Sequence, residues 1–81
     1  MVEELVGFVS GNIRRKMVVD VLEKNGAEPF EMIARLTRIP KISLEKVMDE
    51  LQSRDLVKKE GDRFKLTDAG DQVANIARSI K

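Results

Sequence analysis

The apolar positions of this 81-residue chain fall into five runs with helical spacing and one with strand spacing. Val2, Leu5, Val6 and Val9 share one stripe opposite Glu3 and Glu4, which predicts a short amphipathic helix over 2–9. Ser10 is the candidate N-cap for a second helix over 11–25. Its buried stripe is Met17, Val18, Val21 and Leu22, flanked by Ile13, and Lys16 can pair with Asp20 one turn on. Asn25-Gly26 ends that helix, because both tolerate the left-handed C-terminal conformation. Pro29 suits the first turn of a third helix reaching about Thr37, with Phe30, Ile33, Ala34 and Leu36 on its apolar side. Pro40 breaks the pattern and opens a fourth helix to about Arg54. Leu44, Val47, Met48 and Leu51 lie on one face of it, and Ile42, Lys46, Asp49 and Ser53 on the other. From Leu56 to Leu66 the pattern alternates around Gly61, which predicts a hairpin with Leu56, Phe64 and Leu66 on one side. Thr67 is a good N-cap for a last helix over 68–80, with the stripe Ala69, Val73, Ile76, Ala77 and Ile80.

Composition narrows what such a chain can do. There is no cysteine and no histidine, so thiolate and imidazole metal sites, disulfides and the commonest general base are excluded. No carboxylate pair, nucleophile dyad or glycine-rich phosphate loop stands out. The expectation is therefore not an enzyme, and no cofactor or metal is implied. Met17, Met32 and Met48 sit among apolar neighbours at helical positions and read as core fillers. The length allows one domain over 1–81: a lead-in helix (1–9), a core with its hairpin (10–67) and a C-terminal helix (68–81). With no long apolar run and no signal-peptide pattern, no membrane partner and a cytoplasmic location are expected. Fifteen basic and fourteen acidic residues nearly cancel, so any positive field must come from local arrangement. The one surplus of bases lies in residues 58–81, with six basic and four acidic.

The order helix, helix, turn, helix, hairpin, helix, together with the stretch IARLTRIPKISLEKVMDELQSRDLV (33–57), resembles the winged helix-turn-helix core of ArsR-type and MarR-type bacterial and archaeal transcription regulators. Ile33-Ala34 matches the apolar-Ala pair of the positioning helix, and Ile39 the apolar residue of the turn. Leu44, Met48 and Leu51 match the buried positions of the recognition helix. Asp55-Leu56-Val57 stands where that pattern has a GLV-like entry to the wing, and Leu66-Thr67-Asp68-Ala69-Gly70 matches LTxxG. The chain departs from the pattern at Arg38 and Asp55, which stand where glycine is usual. Both positions call for positive φ, at something like 1 kcal/mol for a residue with a side chain.

The resemblance implies a mainly α fold with a small β-hairpin wing, and double-stranded DNA as partner. The recognition helix enters the major groove through Lys41, Ile42, Ser43, Glu45 and Lys46. Lys41 and Lys46 suit guanine edges or phosphates, Glu45 a cytosine amino group and Ile42 a thymine methyl. Lys58, Lys59, Arg63 and Lys65 form a basic wing. Arg14, Arg15 and Lys16 open the second helix, where cations are disfavoured without an anionic partner, and Arg35, Arg38 and Lys41 add positive charge around the turn. The resemblance also implies a homodimer through the terminal helices, by Val2, Leu5, Val6, Val9, Val73, Ile76, Ala77 and Ile80. Against DNA stand Asp49 and Glu50 on the recognition helix and an acidic hairpin tip, Glu60-Gly61-Asp62. The alternative is a protein-interaction module of transcription or chromosome machinery, with Ile42, Glu45, Asp49 and Glu50 facing a partner protein.

Overall fold

The computed structural model describes residues 2–79. Five helices, α1 (Val2–Ser10), α2 (Ile13–Asn25), α3 (Phe30–Thr37), α4 (Lys41–Ser53) and α5 (Asp68–Ser79), surround a small antiparallel sheet. Its strands are β1 (Glu28–Pro29), β2 (Val57–Glu60) and β3 (Arg63–Leu66), in the order β1-β3-β2. The layout is compatible with a winged-helix arrangement. Among the described residues no helix is long and apolar enough to cross a membrane.

Local chemistry sets each boundary. Asn12, not Ser10, caps α2: its side-chain oxygen accepts from the amides of Arg14 and Arg15 at 3.0 and 3.1 Å. Ser10 instead closes α1, its hydroxyl donating to the Val6 carbonyl one turn back. Gly26 ends α2 at φ 82°, its amide bonded to the Leu22 carbonyl. Pro29 lies outside the helix it was expected to begin. It is the extended N-cap of α3, and Glu28–Pro29 pair with Phe64 and Arg63 as a third, two-residue strand. Proline lacks an N–H and so is confined to such an edge. Arg38 and Asp55 both adopt positive φ, 61° and 60°, as their places in the turn and before β2 require.

The core is one cluster running from Val6 and Val9 through Val18, Val19, Leu22, Ile33, Leu44 and Leu51 to Leu56, Phe64 and Val73. The α4 stripe is buried as its period predicts. In α2 the buried positions are Val18, Val19 and Leu22; Met17 and Val21 are only half-buried, and Ile13 is 75% exposed. The helix is rotated toward Val19 because it packs against α1, α3, α4 and α5 at once. Leu36, expected inside, is exposed.

The hairpin is fixed at its root by Thr67. Its hydroxyl donates to the Asp55 carbonyl at 2.6 Å and accepts from the Gly70 amide at 3.0 Å, while its own amide donates to the Leu56 carbonyl at 3.0 Å. The N-cap of α5 thus also clamps the α4–β2 junction. Gly70 lies so close to this junction that a Cβ there would overlap the Leu56 carbonyl oxygen. The start of α5 and the end of α4 are therefore held backbone to backbone, and the β2–β3 hairpin projects from beside them.

Candidate functional site

The exposed surface of α4 divides into four zones: its N-terminal end, its outward face and two flanks. At its N-terminal end Pro40 makes no side-chain cap, so the first amides of the helix are open. Around them lies a surface cleft of about 350 Å³ lined by Glu31, Ala34, Arg35, Arg38, Ile39, Pro40 and Lys41. Three cations face one carboxylate there. Lys41 pairs with Glu31 at 2.7 Å, both side chains being largely exposed. Thr37 holds the turn rigid from inside, donating to the Ile33 carbonyl at 2.7 Å and accepting from the Ile39 amide at 3.3 Å. Beyond the turn, the outward face carries Ile42, which is 86% exposed, and then Lys46, Asp49 and Ser53.

One flank of α4 meets α1 and α2. Glu50 accepts from the Arg15 Nε at 3.0 Å, and Arg15 Nη1 donates to the Phe8 carbonyl at 3.0 Å. The guanidinium groups of Arg15 and Arg54 both lie over the Phe8 ring, 3.9 and 4.3 Å from its centroid. The hydrogen bond and charge of Arg15 hold the Glu50 carboxyl below the usual glutamate range, against a smaller opposing effect of desolvation. Arg15, expected at a phosphate, ties α2 to α4 and α1 through these bonds. Glu50, expected to repel one, is its counter-ion.

The other flank faces the hairpin across a cleft of about 340 Å³, lined by Phe30, Glu45, Met48, Asp49, Gln52, Lys59, Asp62 and Phe64. Register explains why Lys59 is there. Lys59 stands opposite Phe64, on the face turned to α4, with its Nζ 5.7 Å from the ring centroid. Lys58 and Lys65 stand opposite each other on the other face, next to the Glu60–Arg63 pair. The four bases of the hairpin therefore do not share a face. Glu60 lies 3.5 Å from Lys58 and 4.0 Å from Lys65, and Arg63 reaches the Ala27 carbonyl at 3.4 Å.

Of the other expected interface residues, Arg14 is exposed at the start of α2 and Ser43 is half-buried. Val6, Val9, Val73 and Ala77 of the terminal-helix stripe are buried within the single chain, where α1 packs on α5. That stripe is mostly core, and what remains open is Val2, at 37%, and Ile76, at 40%, with Leu5 half-buried. Ile80 lies outside the described residues. Arg35, Arg38 and Lys41, the cations the sequence places around the turn, line one cleft. Gln52, Asp62 and Phe30 join the hairpin cleft. The 45, 49, 52 spacing on α4 was the signal for one shared edge, but it did not show what would face it.

Comparison with protein-family models, with curated proteins and with solved structures finds no match to the chain.

Proposed function

We propose that the chain is a winged helix-turn-helix DNA-binding regulator, with α4 as recognition helix and the β2–β3 hairpin as wing. The observation that carries this reading is the cationic cleft at the α3–α4 turn. Arg35, Arg38 and Lys41 surround the uncapped start of α4. Open amides and a positive helix end are suited to a phosphate oxygen, and the flanking cations add to that field. The Lys41–Glu31 pair is exposed, so exchanging Glu31 for a phosphate costs little. Ile42, next to Lys41, and Lys46, about one turn further, project from α4 as an apolar and a cationic contact to base edges. Lys58, Arg63 and Lys65 on the outer face of the hairpin supply flanking backbone contacts.

The acids of α4 fit this reading better by position than by count. Glu50 is held by Arg15, and Glu45 is turned to the hairpin cleft. Asp49 stands at the edge between the outward face, beside Lys46, and the hairpin cleft. In the same reading two copies meet through Val2, Leu5 and Ile76, the apolar surface that the α1–α5 pair leaves open.

The test is fluorescence anisotropy with a labelled mixed-sequence duplex. Arg38→Gly combined with Lys46→Ala should weaken binding roughly tenfold and lower the salt slope by about two, because two cations no longer neutralise phosphate charge. Asp49→Ala should tighten binding. Unchanged affinity in the double variant would remove α4 from the interface.

A further inference from the structure

We propose that the cleft between α4 and the β2–β3 hairpin is a docking groove for a basic, apolar-bearing segment of a partner protein. This site is separate from the cationic turn and stands whether or not the turn binds DNA. Its apolar lining is the half-buried Phe30 together with Met48 and Phe64, which are largely buried. Its rim holds Glu45, Asp49 and Asp62, with Gln52 as a further acceptor and Lys59 as the one cation. Lys59 is drawn to the Phe64 ring.

The three rim carboxylates are all exposed, and none has an ion-pair partner among the described residues. Glu28 and Asp55 also have no ion-pair partner among the described residues, while three further acids have a local reason to be where they are. Glu3, Asp68 and Asp71 sit in the first turns of α1 and α5, where the helix dipole favours negative charge. Asp62 suits the hairpin turn it sits in, whereas Glu45 and Asp49 have no such reason, and an α4 edge and a hairpin tip bring the three together at one cleft. They are not arranged as metal ligands, since no group of three such residues that could hold an ion occurs among the described residues.

Charge complementarity selects the occupant. A phosphate backbone is repelled from this rim, and a neutral apolar segment would leave three carboxylates facing it. An arginine or lysine side chain meets them with charge-assisted hydrogen bonds, while a neighbouring apolar side chain covers the phenylalanines. The volume, about 340 Å³, fits one anchoring side chain and its cationic neighbour rather than a folded domain.

The test is an amide titration of the isotope-labelled chain with three short synthetic peptides of equal length. One alternates arginine and leucine, one arginine and glycine, one glutamate and leucine. The Arg-Leu peptide should shift residues 45–52 and 59–64, bind several-fold tighter than Arg-Gly, and leave Glu-Leu without effect. Glu45→Gln with Asp49→Asn, both exposed positions, should weaken Arg-Leu binding by roughly three- to tenfold. The same double variant should strengthen duplex binding, so the groove and the DNA reading move in opposite directions and fail separately. Equal binding of the two arginine peptides would overturn the proposal. So would shifts centred on Glu3, Asp68 and Asp71, or an indifferent double variant.

Discussion

At the scale of single residues, Arg38 carries two opposed demands. It closes α3 in the left-handed region at φ 61°, its amide bonded to the Ala34 carbonyl at 2.8 Å. Glycine would relieve that backbone of about 1 kcal/mol of strain. A side chain with charge therefore stands where the fold alone favours none, beside the cationic cleft. Arg38→Gly alone should leave the melting temperature unchanged or raise it by a few degrees, while duplex affinity falls; thermal melts beside anisotropy check both. A lower melting temperature would mean that Arg38 serves the fold. Glu50 makes a complementary case. Its folded carboxyl is held below the ordinary glutamate value by Arg15. The stabilisation it brings is therefore present above the unfolded value and lost as pH falls through the depressed folded one. Glu50→Gln should be less stable than the native chain near neutrality, and the gap should close in acid, which melts across pH would show. The positive φ of Arg38 and Asp55 was legible in the sequence, because both stand where the turn pattern favours glycine. The inward use of Arg15 was not, because its partners, Glu50 and the Phe8 carbonyl, are 35 and 7 residues away and no helical spacing connects them.

At the scale of elements, α4 was the most legible part of the chain. Its four buried positions follow the helical period, and so does the exposed face opposite. What the period leaves open is which neighbour each flank meets. That depends on the hairpin register, which pairs Lys59 with Phe64 and so sends one of the four hairpin bases to the α4 side. β1 escaped notice because two residues ending in proline carry no strand period. The hairpin's position in turn rests on the close approach of Gly70 to Leu56 and on the Thr67 clamp. Gly70→Ala should cost on the order of 3 kcal/mol, since the obstacle is a carbonyl oxygen and not a movable side chain. Chemical denaturation measures this, and a change within error would mean that the α4–β2 and β3–α5 junctions are not held rigidly together.

At the scale of the whole molecule, the charge is sorted although its sum is only +1. The terminal helices α1 and α5 carry Glu3, Glu4, Asp68 and Asp71 against Arg78, while the turn carries Arg35, Arg38 and Lys41 and the outer hairpin face Lys58, Arg63 and Lys65. The composition could not show this, because near-neutrality averages over both ends. The long dimension of the chain is 29 Å. In the dimer proposed above, a duplex site would require the two α4 helices to stand about 34–36 Å apart, one turn of duplex. Ile76→Glu, at an exposed position, should then yield monomer in sedimentation analysis without loss of helix content, and an intact dimer would place the interface elsewhere. The most direct test of the central claim is an amide titration of the labelled chain with a mixed-sequence duplex at low and then moderate salt. Shifts gathered on residues 35–46 and on Lys58, Arg63 and Lys65, weakening steeply with salt, are the expected result. No shifts at low salt, or shifts that avoid the turn cleft, would contradict it.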